Sequence, residues 1–238
     1  VGKSRLVGEV ASHAAGYAGV EKTTIDSGLV YATRVYRRTP HDTPGWKAAL
    51  LQDRGPHAPH AGSLFPIEAD RWMLTMTSAG GDEPPTDDDG FLAFARNLRA
   101  PDISRVAARA EPLGPITGYR RTENRRRHYE RMRHAPDGVG AAGEAGCALN
   151  PVYGQGMSAA AVTAVALERC LARHMAGSPD LSGFSALAQR AVAGAGAGSW
   201  TLAPGIDLRF PGARGDRRST VRRAVDPMLG RYMHRGGV

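Results

Sequence analysis

A two-residue period of apolar side chains runs through residues 71–77, as in a β-strand that buries one face. Residues 63–68 precede it across a turn at residues 69–70, so the two segments are predicted to form a hairpin. Residues 28–37 are rich in β-branched and aromatic types and predict a further strand. Residues 46–52 predict one more strand between it and the hairpin. The first half of the chain is therefore expected to form a β-rich layer.

Helical spacing replaces this alternation further along the chain. Thr86 is a good N-cap for a helix whose first turn carries three aspartates at 87–89, at the positive end of the helix dipole. The apolar stripe of this helix consists of Phe91, Leu92, Ala95 and Leu98. Pro101 begins a shorter helix that is predicted to reach Ala110, and residues 112–121 return to extended structure.

The longest helical pattern covers residues 155–175 and is followed by the helix-ending residues Gly177 and Pro179. Its predicted buried side consists of Val162, Val165, Ala166, Leu167, Cys170 and Leu171. A helix burying that side would pack against the predicted sheet layer or against other helices. The fold class predicted from these patterns is α/β (α+β).

Shorter segments complete this pattern. Further helices are predicted at residues 5–14, 182–193 and 215–232. Residues 139–142 occupy the position of a strand before the long helix, although Gly and Ala are poor strand formers.

Composition is that of an ordinary globular chain, with 238 residues, 42% apolar and 23% charged. The two cysteines, Cys147 and Cys170, form neither a disulfide framework nor a metal-binding spacing, which suits a reducing compartment. His57 and His60 lie in a proline-containing loop with no acidic or cysteine partner close in sequence, and are predicted to be solvated loop residues. No apolar run of about 18 residues and no leader pattern is present, so no membrane span is predicted and a cytoplasmic location is expected.

The net charge of +8 raises the possibility of nucleic-acid binding, but the excess is almost entirely arginine. Only three lysines occur, and the abundance of Ala and Gly indicates a GC-rich genome as the source of this choice. Residues 120–133 contain the densest basic stretch, with His128 and Tyr129 between the arginines. A nucleic-acid groove, a surface helix and a turn lining an anionic cofactor would all use such a sequence.

Residues 143–158 form a glycine-rich segment that leads into the long helix. Gly154 and Gly156 have no Cβ atom, so a flat or anionic ligand can approach the main chain closely there. The N–H groups of the first helical turn and the helix dipole favour negative charge on that ligand. Phosphate, a carboxylate or the pyrimidine edge of a reduced flavin would suit the site. The alternative is a loop that only turns the chain into the helix.

Five separated segments together resemble the FAD-dependent aromatic-hydroxylase type of monooxygenase, related to para-hydroxybenzoate hydroxylase. These segments are Tyr31–Tyr36, Phe65–Glu68 with Arg71 and Trp72, Pro85–Phe94, Asn124–Glu130 and Gly143–Met157. The last is the most specific, because the family has Gly-Asp, then a proline, then a Gly-x-Gly helix start. Residues from about 16 to 215 fit this order.

The resemblance implies a β-sheet substrate domain interleaved with the C-terminal part of an FAD-binding domain, followed by accessory helices. Residues 1–27 would be the end of an FAD-binding segment and residues 28–122 the substrate domain. Residues 123–176 would return to the FAD-binding domain, and residues 177–238 would form C-terminal helices.

The resemblance also implies a cofactor site and a reaction. In the family, the acidic residue after the glycine contacts the ribityl chain of FAD, and the helix start after the proline faces the flavin pyrimidine. The corresponding residues here are Gly143, Glu144, Pro151, Gly154, Gly156 and Met157. NADPH or NADH would reduce FAD, and a flavin hydroperoxide would hydroxylate a small organic molecule such as an aromatic compound. No catalytic side chain and no metal ligand is assigned.

Two departures from the family pattern define the alternatives. No G-x-G-x-x-G dinucleotide fingerprint follows a strand near the N-terminus, where the family carries it, and Glu144 stands where the family has aspartate. Gly2-Lys3-Ser4 resembles the end of a P-loop, but a polar turn before a helix explains these residues better. Because the N-terminal dinucleotide fingerprint is missing, the chain is expected to be an N-terminally truncated monooxygenase; its start at Val1 fits either a fragment or an alternative start codon. The alternatives are a non-catalytic remnant that does not hold FAD, or a basic nucleic-acid-binding protein.

Overall fold

The computed structural model describes residues 20–38, 45–52, 60–133, 138–178 and 180–215. Within them the strands are β1 (Lys22–Asp26), β2 (Val30–Arg37), β3 (Ala49–Leu51), β4 (Ala61–Ile67), β5 (Arg71–Ser78), β6 (Thr117–Tyr119), β7 (Asn124–Arg127), β8 (Cys147–Ala148) and β9 (Arg214–Gly215). The α-helices are α1 (Asp88–Arg96), α2 (Asp102–Ala107), α3 (Gly156–Gly177), α4 (Phe184–Ala195) and α5 (Ala197–Asp207). Short 3-10 helices cover Tyr129–Arg131, Gly143–Ala145 and Pro151–Tyr153. The mixed α/β class predicted from sequence is confirmed.

The chain divides into two compact units. One, here called the sheet unit, comprises Ser27–Thr122 and Arg209–Ala213. The other, here called the loop–helix unit, comprises the described residues up to Asp26, together with Glu123–Leu208 and β9. Among the helices in the described ranges, none is both long and apolar enough to cross a bilayer.

The sheet unit contains a five-stranded antiparallel sheet in the order β3-β4-β5-β2-β6. The predicted hairpin is confirmed as β4 and β5, and its turn places Ala69 and Asp70 at φ 60° and 47°. The strand predicted at residues 46–52 is shorter, because Trp46 leaves the sheet and stacks on Trp72 with ring centroids 5.9 Å apart.

One face of this sheet is packed under α1 and α2. The buried residues of this core are Ala32, Tyr36, Ala49, Leu51, Leu64, Trp72, Leu74, Met76, Phe91, Phe94, Ala95, Leu98, Ile103 and Ala110. The prediction of Thr86 as the N-cap of α1 was wrong by one residue. Asp87 is the cap, because its Oδ1 accepts a hydrogen bond from the Gly90 N–H at 2.7 Å.

The opposite face of the sheet is rich in hydroxyl groups. Residues paired across neighbouring strands share a face, and this one carries Tyr31, Thr33, Ser63, Thr75, Thr77, Thr117 and Tyr119. Thr33 Oγ1 and Thr75 Oγ1 are hydrogen-bonded at 2.9 Å. We call this surface the hydroxyl face.

The loop–helix unit contains a four-stranded antiparallel sheet in the order β8-β7-β1-β9. Its strand β7 is part of the arginine-rich stretch, which therefore does not form a surface helix. The strand expected at residues 139–142 is absent, because its Gly and Ala residues give a sheet little to pack. The chain pairs with β7 only at Cys147 and Ala148.

The long helix α3 confirms the predicted position, but half of its predicted buried side is wrong. Ala159, Thr163 and Cys170 are buried, whereas Val162 and Val165 are 53% and 46% exposed. Leu171 is also exposed. Because α3 carries apolar side chains on both sides, helical periodicity could not select the one that packs.

The remaining helices give mixed outcomes. The helix predicted at residues 182–193 is confirmed as α4. Helix α5 was not predicted, since Pro204 lies inside it. The helix predicted at residues 5–14, and all but the first residue of that predicted at 215–232, lie outside the described residues, as do Gly2–Ser4 and His57.

Candidate functional site

The segment 143–146 lies against α3. Gly143 has φ 58°, a left-handed conformation that favours glycine, and an added Cβ would lie 3.5 Å from the Ala160 side chain. The 3-10 helix that it begins leaves Glu144 half-buried. Two predicted site residues are therefore held next to the helix that carries two of the others.

The turn before α3 is built by local hydrogen bonds. Asn150 Oδ1 accepts from the Val152 N–H at 3.2 Å, which begins the 3-10 helix with Pro151 in its first turn. Gly154 ends it at φ 62°, and its N–H donates to the Pro151 carbonyl at 3.0 Å. A left-handed residue is needed at position 154, so glycine is favoured there by the backbone itself.

Helix α3 begins at Gly156 with an open first turn. Gln155, in the cap position, forms no side-chain cap hydrogen bond, and the first turn holds no acidic residue. An added Cβ at Gly156 would meet no atom within 4 Å, and Met157 is 87% exposed. A helical glycine costs up to about 1 kcal/mol relative to alanine, and no packing within the described residues requires it. The first-turn N–H groups therefore present an exposed, electropositive helix end.

A buried polar network supports this turn from below. Asp207, at the end of α5, accepts hydrogen bonds from Asn124 Nδ2 at 2.5 Å and from the Tyr153 hydroxyl. Asn124 Oδ1 accepts from the Asn150 N–H at 2.8 Å. Asn124, Asn150 and Asp207 are all fully buried. Sequence analysis missed the roles of these three residues, because the 83-residue separation of Asn124 and Asp207 gives no local pattern.

Arg127 holds the other segment of the site. It is 8% exposed, and its guanidinium donates to the Ala145 carbonyl at 3.0 Å. Its backbone N–H donates to the Gly146 carbonyl at 2.8 Å. Sequence analysis did not single out Arg127, because it lies among other arginines, several of which form intramolecular ion pairs such as Arg131–Glu21.

A small cavity lies beside these segments. It measures about 30 Å³, enough for a water molecule but far too small for a cofactor. Cys147 lines it, and burial raises the pKa of this thiol to about 11, against a smaller opposing effect of the Arg126 charge. The thiol is therefore protonated at neutral pH and is not a nucleophile.

A hydrogen-bonded group near the cavity links β1 to β7. His128 Nε2 contacts Thr23 Oγ1 at 2.8 Å, and His128 Nδ1 contacts Glu130 Oε1 at 3.1 Å. Burial raises the pKa of Glu130, but its backbone hydrogen bond and the neighbouring His128 and Arg126 outweigh burial and hold this pKa below its usual range. The order hydroxyl, imidazole, carboxylate is that of a catalytic triad, yet His128 is only 5% exposed, so no substrate can reach its ring. We interpret the group as structural.

The histidine loop does not form a metal site in the part that the structure describes. His60 Nε2 is paired with Asp82 at 2.5 Å, and its ring stacks on Phe94 at 4.5 Å. It was predicted to be a solvated loop residue, and its side chain is 28% exposed, with the two contacts covering the rest in part. Among the described residues, no group of three or more His, Cys, Asp or Glu side chains could hold a metal ion.

The hydroxyl face of the sheet unit carries a second candidate surface. The Tyr31 and Tyr119 rings lie 6.3 Å apart, and the Tyr119 hydroxyl is buried with no hydrogen-bond partner among the described residues. Leu50 and Phe65 on the same face are 55% and 39% exposed. Away from Arg37 and Arg71 at its end, this face offers apolar surface with hydroxyl groups, which suits an uncharged organic molecule.

Comparisons with known proteins show what this chain is similar to in sequence and in fold. No family model matches the chain. Protein Rv3254 of Mycobacterium tuberculosis is 29% identical over 168 residues, which are 70% of this chain and 35% of that protein.

Solved structures give a more extensive likeness. HpxO of Klebsiella pneumoniae, complexed with FAD and uric acid, has a TM-score of 0.53 at 16% identity over 88% of this chain and 50% of its own. A triple mutant of the flavin-dependent brominase Bmp2 has a TM-score of 0.59 at 17% identity, over 84% and 48%. pqsL of Pseudomonas aeruginosa, a probable FAD-dependent monooxygenase, has a TM-score of 0.52 at 17% identity. The match covers 84% of this chain and 54% of pqsL.

These likenesses bear on the resemblance seen in sequence. The chain spans about half the length of the three solved structures and 35% of the curated relative. At such identities the shared property is the fold. The chain therefore has, over the part that it spans, the fold of FAD-dependent monooxygenases, as its sequence motifs predicted.

Proposed function

We propose that this chain is the part of an FAD-dependent monooxygenase that binds the flavin end of FAD at the start of α3. The observation that carries the proposal is the open, uncapped helix start with glycine at 154 and 156, on a fold shared with FAD-complexed HpxO. Exposed N–H groups at a helix N-terminus suit the negative charge of a reduced flavin's pyrimidine edge.

The residues present fit this cofactor. Gly154 and Gly156 would let the ring approach the backbone, and the α3 N–H groups would face its carbonyl oxygens. Pro151 and Met157, both exposed, would flank it. Glu144, on the segment held by Arg127, would contact the ribityl chain. When bound, FAD supplies the redox chemistry with oxygen, and the protein's part is to bind, orient and stabilise charge.

The proposed domain assignments are those that the family resemblance implies. Residues 123–176 would form the flavin-binding segment, residues 28–122 the substrate domain, residues 1–27 the end of a further FAD-binding segment and residues 177–238 accessory helices. A nicotinamide nucleotide, NADPH or NADH, would supply the electrons. Binding of the ADP half of FAD would depend on a dinucleotide-binding element outside this sequence.

The proposed substrate is a small, uncharged organic molecule bound at the hydroxyl face. Thr117, exposed on this face, carries a hydroxyl that could orient a substrate oxygen. The flanking threonine hydroxyls can donate or accept, so they would suit several oxygenated substrates. We propose no nucleic-acid partner, because Arg34, Arg120 and Arg131 are already paired with acidic side chains.

The test is the visible spectrum of the purified chain after FAD is added and unbound FAD is removed by gel filtration. Flavin bands at about 370 and 450 nm that coelute with the protein would support the proposal. A colourless protein at millimolar FAD would contradict it for this chain and favour the non-catalytic remnant. Salt-sensitive retention of DNA would favour a nucleic-acid-binding protein instead.

A further inference from the structure

We infer that Asp207, acting through Asn124 and Tyr153, fixes the turn 150–155 in the conformation that a ligand at the start of α3 would meet. Asp207 and Asn124 are then positioning residues. The effect on flavin binding rests on the proposed function, whereas the effect on the turn does not.

The first step is the orientation of the Asn124 amide. A carboxylate only accepts hydrogen bonds, so Asn124 must turn its NH₂ group toward Asp207. The Nδ2–Oδ2 distance is 2.5 Å. The amide oxygen of Asn124 is thereby directed to the Asn150 N–H, 2.8 Å away. The Asn150 N–H can only donate and requires the same orientation, so the carboxylate reinforces the end of the amide that faces the turn.

The second step is that both ends of the turn depend on this carboxylate. Asn150, where the turn begins, is held by Asn124, and Tyr153, near its end, donates its hydroxyl proton to Asp207 Oδ1. Between them Asn150 Oδ1 holds the Val152 N–H at 3.2 Å. The turn is therefore attached to β7 and to α5 at two points three residues apart.

The third step concerns the unfavourable free energy of burying the Asp207 carboxylate at the end of α5. Asp207 is fully buried and is the last residue of α5, where the negative end of the helix dipole disfavours an anion. Stability by itself would favour a neutral side chain at this position. A carboxylate has one property that a neutral amide lacks, because it cannot present a donor and so permits a single amide orientation. Orientation of the turn accounts for that choice.

Hydrogen–deuterium exchange tests the inference directly. Asp207→Ala is expected to raise exchange at Asn150, Val152 and Gly154 about tenfold or more relative to β1 and β7, since local opening sets this rate. Asp207→Asn should restore only part of the protection, because its amide oxygen can accept from Asn124 but its NH₂ group also allows the reversed Asn124 orientation. A matched control is Ser185→Ala, another buried polar site in the same unit.

The outcomes separate positioning from general stability. A rise confined to the turn in Asp207→Ala, absent in Ser185→Ala, supports the inference. An equal rise throughout the turn, β1 and β7, or no rise in the turn, overturns it. Asn124→Ala provides a second variant and is expected to give the same local rise, at Asn150 first.

Flavin affinity is measured separately by titration of FAD fluorescence. The dissociation constant is expected to rise about tenfold in Asp207→Ala and to stay unchanged in Ser185→Ala. If the wild-type chain binds no FAD, the proposed function fails while the exchange data still decide the role of Asp207. If Asp207→Ala loosens the turn but binds FAD as tightly as the wild type, the positioning role toward flavin is wrong.

Discussion

At the scale of single residues, the site depends on side chains whose partners lie far along the chain. Gly154 and Gly156 were proposed from sequence because glycine before a helix start has a local signature, and Gly143 was proposed because it matches the family motif. Arg127, Asn124 and Asp207 were not, because a hydrogen bond to a distant carbonyl or amide leaves no mark in the neighbouring residues. The backbone of the candidate site could be predicted from sequence. The side chains that support it could be identified only from the structure.

Arg127 gives the first prediction at this scale. Arg127→Met removes the donor to the Ala145 carbonyl and should lower the free energy of unfolding by about 1–3 kcal/mol, measured in urea. Arg131→Met is the control, since the Arg131–Glu21 pair is exposed and such pairs contribute little. Equal effects of the two substitutions would show that Arg127 does not hold the 143–146 segment.

Cys147 gives the second prediction at this scale, which concerns the reactivity of its thiol. Because burial raises its pKa to about 11, its thiolate at pH 8 is about 100-fold rarer than for a thiol of pKa 9. Alkylation of native Cys170→Ser protein at pH 8 should be slower by about that factor than after unfolding in urea. The native rate should rise until the pH nears 11, and a native rate that levels off near pH 9 would contradict the assigned burial. Since only the unfolded thiol ionises between pH 9 and 11, stability should fall as pH rises through that range.

At the scale of elements, the patterns predicted the type of an element better than its contacts. The β4–β5 hairpin and α3 are where periodicity placed them, because long regular patterns dominate local preference. Half of the predicted buried side of α3 was wrong, since both of its sides are apolar and Val162 and Val165 face outward. The prediction of a strand at residues 139–142 was wrong, because only the position of this segment before the long helix suggested it.

The cap of α1 is an element-scale prediction that separates sequence from structure. Asp87→Ala removes the hydrogen bond to the Gly90 N–H and should destabilise the sheet unit by about 1 kcal/mol. Thr86→Ala should leave the unfolding midpoint nearly unchanged, although sequence analysis favoured Thr86 as the cap. The opposite ranking in thermal or urea unfolding would mean that the helix begins one residue earlier.

At the scale of the whole molecule, no single motif was specific enough to predict the fold. The order of the motifs along the chain was. Glycine at a helix start is common, but five segments in the right order are not, and the solved structures share the resulting fold. Substrate identity could not be predicted in the same way. The hydroxyl face is assembled from four strands, and its character depends on the registers among them.

The central claim is that the start of α3 binds flavin, and it is tested most directly by a titration of FAD into three proteins. Gly156→Leu places a side chain where no described atom lies within 4 Å, so the fold should be kept while the flavin is blocked. Gly194→Leu, an equally open glycine in α4, is the matched control. We predict that the wild type and Gly194→Leu bind FAD alike and that Gly156→Leu binds at least about tenfold more weakly. Equal affinity in all three proteins, or binding in none, would contradict the claim.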